Sequence, residues 1–129
     1  MAAESLGLPP FGLDDILSEL LWPPGTDLGL VECAGGVASP QTSDADAVDL
    51  VERLAPDHVL LVARAGLGAL NEVRLAARAL SGHPVVVYLN HFDPADELHV
   101  ANRRWLAERD GLCVAASTDR LAQALAIRR

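Results

Sequence analysis

The chain of 129 residues contains no lysine, because all ten of its basic residues are arginines. A Schiff-base lysine, a lysine general base and the lysine of a Walker A phosphate-binding loop are therefore excluded within these residues. Eighteen acidic residues outnumber the arginines and give a formal charge of −8. Since duplex-binding proteins present a basic patch to phosphates, this charge disfavours nucleic acid as a partner.

Cysteine is scarce as well, and long apolar runs are missing. Cys33 and Cys113 are too few for a disulfide framework, and neither belongs to a CxxC pair. No apolar run approaches the roughly 20 residues that span a bilayer, and the opening MAAESLGLPP lacks the basic and apolar regions of a signal peptide. These absences predict a reduced, cytoplasmic protein without a membrane partner.

Aromatic residues number only five, although half of the chain is hydrophobic. The core must therefore be built from Leu, Val and Ala. An apolar content this high argues against disorder. The length is that of one compact domain, which we expect to span residues 1–129.

The order of predicted strands and helices indicates an open α/β fold. Two continuous apolar runs, 58–63 (HVLLVA) and 84–90 (PVVVYLN), are typical of parallel strands covered on both faces. A short strand is predicted at 28–32 and a weak fourth strand at 112–115. Helices are predicted at 13–21, 44–54, 70–80, from Pro94 to about Arg109, and from Ser117 to near Ile127. Strand and helix thus alternate four times, which predicts an open, mainly parallel sheet with flanking helices.

Ligands bind such sheets at the carboxyl ends of the strands, so the loops after the first three predicted strands form the candidate site. Glu32, at the end of the first, is suited to hold Mg²⁺ directly or through water. Gly35 and Gly36 allow backbone N–H groups to approach an anion closely. The alternative for this loop is an exposed acid beside a flexible turn.

The second loop, RAGLGALN (64–71), departs from the dinucleotide-binding fingerprint. Asn71 stands where a third glycine is expected, and no acidic residue lies about 20 positions further on. A tight glycine turn before a helix is still suited to contact an anion or another ligand. In the third loop, the amide of Asn90 can both donate and accept, as recognition of a base edge requires, although Asn is also an ordinary turn residue.

Other polar residues give weaker indications. The histidines His83, His91 and His99 form no close ligand pair, so solvated or hydrogen-bonded side chains are favoured over a metal site. Cys33 is either a reactive thiol beside the glycine loop or a small buried side chain that fills space.

Three segments together resemble consecutive motifs of dethiobiotin synthetases, in the same order and at similar spacing: LGLVECAGGVASP (28–40), LLVARAGLGALN (60–71) and VVVYLN (85–90). The opening MAAESLGLPP is also similar to a segment of that family. The resemblance implies a P-loop NTPase-like α/β fold and a homodimer. It also implies closure of the ureido ring of dethiobiotin from 7,8-diaminononanoate, CO₂ and MgATP, through a carbamate and a carbamic-phosphate anhydride.

The resemblance also implies roles for individual residues. Glu32 would be a magnesium-site carboxylate, and Asn90 would recognise the adenine of ATP. The glycines of the first motif would lie beside substrate and phosphate, and residues of the second would reach substrate across the dimer interface: Gly35, Gly36, Leu67, Gly68 and Asn71.

The chain departs from the family at several places. Cys33 and Glu72 replace a glycine and a histidine, and the chain resembles the family's second half, so we expect the first strand and the Walker A half to be absent. Three explanations stay open: half of a split enzyme completed by a P-loop subunit, a fragment, or a P-loop-less relative that binds a partner or small ligand without catalysis. We expect the exposed sheet edge to recruit a second copy or a P-loop-containing subunit.

Overall fold

The computed structural model, which describes residues 2–126, divides into two compact units, Met1–Ala55 and Pro56–Arg129. Charge is distributed unequally between them. Ten acidic residues and one arginine precede Pro56, whereas eight acidic residues and nine arginines follow from it onward. The net negative charge of the chain therefore belongs to the first unit, and the second is close to neutral. The single domain over residues 1–129 stays a prediction.

Three short helices lie in the first unit: α1 (Ala2–Ser5), α2 (Leu13–Glu19) and α3 (Ala47–Leu54). α3 begins after Asp46, whose carboxylate accepts hydrogen bonds from the N–H groups of Val48 and Asp49. These bonds satisfy two of the donors that a helix N-terminus leaves unpaired. The helices predicted at 13–21 and 44–54 are thus confirmed in a shortened form.

A small apolar core holds the first unit together. Its buried members are Leu13, Ala45 and Leu50, and partly buried hydrophobic residues, among them Val31 and Cys33, pack against them. Burial raises the pKa of the Cys33 thiol above its ordinary value, which lowers the fraction of reactive thiolate at neutral pH. The structure therefore favours a packing role for this cysteine over a reactive one.

The strand predicted at 28–32 is wrong. Residues 28–33 form neither helix nor strand, and the side chains of Leu28 and Leu30 are largely exposed. An isolated extended segment has no partner for its backbone hydrogen bonds and no face to bury, so the local pattern alone does not stabilise a strand. Glu32 consequently follows an irregular segment, and strand and helix alternate three times rather than four.

A three-stranded parallel sheet forms the centre of the second unit, in the order β1-β2-β3. Its strands are β1 (Val59–Arg64), β2 (Val85–Asn90) and β3 (Cys113–Ala115). In this register Arg64 lies opposite Asn90, so β1 and β2 end together. The open parallel sheet with flanking helices confirms the predicted α/β class.

Helices of the second unit follow each strand, as predicted: α4 (Ala69–Ala79), α5 (Glu97–Arg104) continued by a π-helical turn (Trp105–Arg109), and α6 (Thr118–Ala126). α5 begins after Asp96, which caps it, so Pro94 precedes the helix instead of occupying its first turn. Ser117 Oγ accepts a hydrogen bond from the Arg120 N–H, as expected of a cap on α6. The predicted end near Ile127 lies outside the described residues. No helix within residues 2–126 is long and apolar enough to cross a membrane.

Side chains from the sheet and from the helices on one of its faces form the core of the second unit. Its largest fully buried side chains are those of Val73 in α4, Val87 and Leu89 in β2, and Leu106 in the π-helical turn. They are small or medium aliphatic residues, in accord with the scarcity of aromatics. This packing fixes α4 and α5 beside the strands whose carboxyl ends carry the candidate site.

We expect Leu106→Ala to lower the free energy of unfolding of the second unit by about 2–5 kcal/mol, because it removes a fully buried side chain and leaves a cavity. Leu75→Ala is the matched control, since Leu75 lies in α4 and is 55% exposed; it should cost less than about 1 kcal/mol. Urea denaturation followed by far-UV circular dichroism measures both. Equal losses for the two variants would contradict this description of the core.

Candidate functional site

The carboxyl ends of β1 and β2 lie side by side and carry the candidate site of the second unit. Arg64, which is exposed, ends β1 opposite Asn90 at the end of β2. One residue further, the Ala65 N–H donates a hydrogen bond of 3.2 Å to the Asn90 carbonyl oxygen. The parallel sheet thus brings Asn90 next to the β1–α4 turn, as the sequence predicts. Arg64 adds a cation that sequence reasoning did not single out.

The β1–α4 turn buries Ala65 in the core but leaves the residues after it near the surface. Leu67 is 96% exposed, and Asn71 is exposed in the first turn of α4. Gly68 caps α4 with a φ of +93°, a left-handed conformation that favours glycine. An apolar side chain held this far out of the core is available to a ligand or to another chain. All three predicted residues of this segment are therefore exposed next to the carboxyl end of β1.

The side chain of Asn90 makes one hydrogen bond within the protein and has further hydrogen-bonding capacity. It is half-buried, and its Oδ1 accepts a hydrogen bond of 3.0 Å from the N–H of His91, which has a φ of +56°. Among the described residues, Asn90 Nδ2 has no hydrogen-bond acceptor. An amide oxygen has two lone pairs, so one acceptor position and the N–H₂ donors of Asn90 remain for a ligand.

Two side chains of α5 hold the loops of this site, and one of them, Asn102, was missed by sequence reasoning. Asn102 is 5% exposed, and its Nδ2 donates to the carbonyl oxygens of Ala65 (2.9 Å) and Gly66 (3.0 Å). His99 Nδ1 accepts a hydrogen bond from the Asp93 N–H, so this histidine is hydrogen-bonded, as expected. The signal that could have revealed Asn102 is an asparagine inside a helix, where this residue type is unfavourable.

The glycine loop of the first unit is closed by its own side chains. Gln41 accepts a hydrogen bond from the Ala34 N–H and donates to the carbonyl oxygens of Ala34 and Ser39. Ser39 Oγ accepts from the Gly36 N–H at 2.9 Å. An anion at this loop would therefore compete with Gln41 and Ser39 for backbone donors. Sequence reasoning missed both side chains.

The predicted site residues form two groups, each within one unit. Gly35 and Gly36 share the loop that follows Glu32, whose side chain is exposed. Leu67, Gly68, Asn71 and Asn90 share the carboxyl edge of the sheet described above. The roles predicted for these seven residues stay predictions.

The number of metal-ligating side chains near Glu32 determines which metal ion this residue could help to hold. Within the part of the chain that the structure describes, no three His, Cys, Asp or Glu side chains converge on a metal position. Mg²⁺, however, is commonly bound by one or two carboxylates together with waters and substrate phosphates. The single carboxylate of Glu32 therefore fits Mg²⁺ only when phosphate oxygens supply further ligands.

The strands and helices of the second unit define an open parallel α/β fold, and comparison with known proteins identifies the proteins that the chain resembles. The ATP-dependent dethiobiotin synthetase BioD of Haloferax mediterranei is 37% identical over 86 residues, which cover 64% of this chain and 37% of that protein. The protein of the same name from Clostridium botulinum is 31% identical over 90 residues, which cover 65% of this chain and 39% of that protein. The resemblance to dethiobiotin synthetases is thereby confirmed.

The extent of this likeness is limited. The chain spans less than two fifths of the length of the curated relatives it matches. No family model matches the chain, and no solved structure matches it.

The glycine loop leads to a testable expectation. Gly35 and Gly25 both have left-handed φ values, +87° and +80°, but a Cβ atom at Gly35 would lie 2.5 Å from Ser39 Oγ, whereas one at Gly25 would meet nothing within 4 Å. We expect Gly25→Ala to cost about 1 kcal/mol of unfolding free energy from backbone strain alone. Gly35→Ala should cost a further 1–3 kcal/mol or so, because it also overpacks the loop.

Urea titration of the two variants, followed by far-UV circular dichroism, measures this difference. Because the backbone conformation is matched, any excess loss in Gly35→Ala reports the contact with Ser39. Equal stability of the two variants would show that the loop is more open than described.

Proposed function

We propose that this chain supplies the base-recognising and substrate-contacting part of an ATP-dependent ligase of the dethiobiotin synthetase type. Such a ligase closes the ureido ring of dethiobiotin, in biotin biosynthesis, from 7,8-diaminononanoate, CO₂ and MgATP. The observation that carries the proposal is the edge where Asn90 meets the β1–α4 turn, together with the similarity to two proteins named for this activity.

Asn90 is the proposed contact to adenine. Asparagine pairs with adenine by donating from Nδ2 and accepting at Oδ1, and this pairing distinguishes adenine from other bases. Here Nδ2 has no acceptor among the described residues, and Oδ1 keeps one lone pair after accepting from His91. Half-burial strengthens such hydrogen bonds because less water competes for them.

The β1–α4 turn is the proposed contact to 7,8-diaminononanoate. Leu67 offers an exposed apolar side chain to the carbon chain of this substrate. The N-terminus of α4, an eleven-residue helix that begins after Gly68, favours an anionic group such as the substrate carboxylate. Asn71 adds an amide in the first helical turn. In a homo-oligomer these residues would reach a substrate held by a second copy.

Phosphate handling is the part of the reaction that this chain does not supply. Phosphoryl transfer depends mainly on positioning and on neutralising phosphate charge, and these 129 residues contain no lysine for that task. We assign the phosphates to a P-loop-bearing polypeptide. Glu32 would join ATP phosphates in holding Mg²⁺, which when bound neutralises phosphate charge. The use of ATP indicates a cytoplasmic setting.

The β1 edge supports the need for a further strand beside this sheet. β1 is the terminal strand of the sheet and pairs only with β2 among the described residues. The side chain of Val62 within it is half-exposed. A strand with free backbone donors and acceptors and an apolar residue is a template for pairing with a further strand. That strand would come from a P-loop-bearing segment, in the same polypeptide or in a separate subunit, or from a second copy.

A second candidate function is a binding module without catalysis. The observation in its favour is the glycine loop, where the N–H groups of Ala34 and Gly36 are already engaged by Gln41 and Ser39. A loop closed in this way is stable without a phosphate. Such a module would keep the edge at Asn90 but would bind its ligand without turnover.

The deciding experiment combines the chain with a P-loop-bearing segment of a dethiobiotin synthetase. We expect the isolated chain to bind MgATP weakly or not at all in calorimetric titration, and the combination to form dethiobiotin. Glu32→Gln, which keeps size but removes the charge, should lower the rate about 100-fold across a magnesium titration, as loss of a metal-site group commonly does. Glu19→Gln, an exposed carboxylate at the end of α2, is the control and should leave the rate unchanged.

Three outcomes would contradict parts of this proposal. Micromolar affinity of the isolated chain for ATP would show that it needs no separate phosphate site. Normal turnover of Glu32→Gln at every magnesium concentration would contradict the proposed role of Glu32 in binding Mg²⁺. Absence of product with any P-loop segment, together with retained ligand binding, would favour the binding module.

A separate substitution tests base recognition by Asn90. Asn90→Ala should reduce the preference for ATP over GTP and CTP by about 10- to 100-fold, because it removes a two-point contact to the base and leaves the phosphates untouched. Asn71→Ala is the matched amide truncation at the same edge, and it should raise KM for 7,8-diaminononanoate while nucleotide preference stays constant. Competition between nucleotides in the product assay measures both. An unchanged preference in Asn90→Ala would exclude this residue from base recognition.

A further inference from the structure

α5 contacts the β1–α4 turn through one face. Asn102 Nδ2 donates to the carbonyl oxygens of both Ala65 and Gly66. Three residues earlier on the same face, the ring of His99 stands close to Gly66, since a Cβ atom there would lie 3.4 Å from His99 Nε2. Asn102 therefore holds two successive carbonyl groups of the turn, and His99 lies beside the second of them.

The same face also holds the loop that follows Asn90. His99 Nδ1 accepts a hydrogen bond of 3.1 Å from the Asp93 N–H. Arg103 lies over the Phe92 ring, with 5.8 Å between its guanidinium carbon and the ring centroid. α5 thus connects the two loops of the candidate site, one through Asn102 and the other through His99 and Arg103.

We propose that Asn102 is a positioning residue, which holds the β1–α4 turn in the conformation that presents Leu67, Gly68 and Asn71 to the substrate. This inference rests on the proposed function, because it assumes that the turn contacts 7,8-diaminononanoate. Asn102 itself is buried beneath the turn and acts through the backbone of Ala65 and Gly66.

The chemistry of the side chain explains why asparagine is suited to this position. A primary amide carries two N–H donors on one nitrogen, so a short side chain serves two neighbouring carbonyl oxygens. Leucine has the same number and branching of side-chain heavy atoms and is larger, but it has no donor, and an ionised aspartate can only accept. Without Asn102, the Ala65 carbonyl oxygen loses its donor, and the Gly66 carbonyl oxygen keeps only the Ala69 N–H at 3.2 Å. Buried carbonyl groups without donors destabilise the conformation that buries them.

Preorganisation is the functional consequence. The exposed side chain of Leu67 and the left-handed backbone of Gly68 contribute no packing that would hold the turn in place. A turn held before the substrate arrives spares the binding step the cost of ordering it. Loss of Asn102 should therefore weaken substrate binding more than nucleotide binding.

The first test uses the full chain alone and measures amide hydrogen exchange in Asn102→Asp, Asn102→Leu and the control Gln123→Glu. At pH 7 we expect exchange at residues 65–69 to rise at least tenfold in both Asn102 variants, while the amides of β2 stay protected. Gln123→Glu adds the same charge on the exposed surface of α6 and should leave the turn unchanged.

A pH series separates the hydrogen bonds from simple packing. Burial against two carbonyl oxygens would hold the pKa of the introduced carboxyl in Asn102→Asp above its usual range, because both effects disfavour the charged form. Below that pKa the protonated carboxyl again donates to one carbonyl. The ratio of variant to parent exchange should therefore fall toward one as the pH is lowered in Asn102→Asp, and stay constant in Asn102→Leu.

The second test measures kinetics in the complex with the P-loop-bearing segment. Asn102→Leu should raise KM for 7,8-diaminononanoate about tenfold, the usual size of an effect on a supporting residue, and change KM for ATP less than twofold. Unchanged exchange at residues 65–69 in both Asn102 variants overturns the proposal. A loosened turn with an unchanged KM for the diamine also overturns it.

The two proposals fail in different ways. If no P-loop segment yields product, the ligase proposal fails while the exchange data still report whether Asn102 fixes the turn. If product forms and the turn is loosened without a change in KM for 7,8-diaminononanoate, the ligase proposal is supported and the positioning role of Asn102 is contradicted.

Discussion

The parallel pairing of β1 with β2 is the constraint on which the rest of the second unit depends. Its register places Arg64 opposite Asn90. The next residue, Ala65, still pairs with β2, because its N–H donates to the Asn90 carbonyl oxygen. Because the two strands run in the same direction, a helix must return the chain after each of them, and both site loops open at the same edge. A slip of one residue would turn Asn90 to the other face of the sheet.

The strong elements could be predicted from the sequence because their signals are local. HVLLVA and PVVVYLN have no polar alternation, and the buried residues Val73 and Ala76 lie three apart on one face of α4, so periodicity alone specified a parallel α/β pair. The strand at 28–32 failed for the opposite reason. Whether an extended segment becomes a strand depends on a partner for its backbone, and nothing local to Leu28 or Leu30 supplies one.

The candidate site was predictable only in part. The glycines, Asn71 and Asn90 could be predicted because they interrupt or end the hydrophobic patterns next to the strand ends. Asn102 could not, since it lies 37 residues from its acceptor at Ala65 and its role exists only when α5 packs against the β1–α4 turn. Gln41 is similar on a shorter scale, because its amide bonds to the backbone seven residues away. Side chains that act through folded backbone leave little trace in a local pattern.

The uneven charge of the two units has a consequence for the solution in which the chain folds. The first unit carries ten carboxylates and one arginine over 55 residues, so its compact state works against its own electrostatic repulsion. Dissolved ions screen charges beyond about 10 Å at 0.1 M, which relieves this repulsion. The nearly neutral second unit has no comparable repulsion to relieve. Raising the ionic strength should therefore stabilise the compact state of the first unit, which carries Glu32, more than that of the second unit.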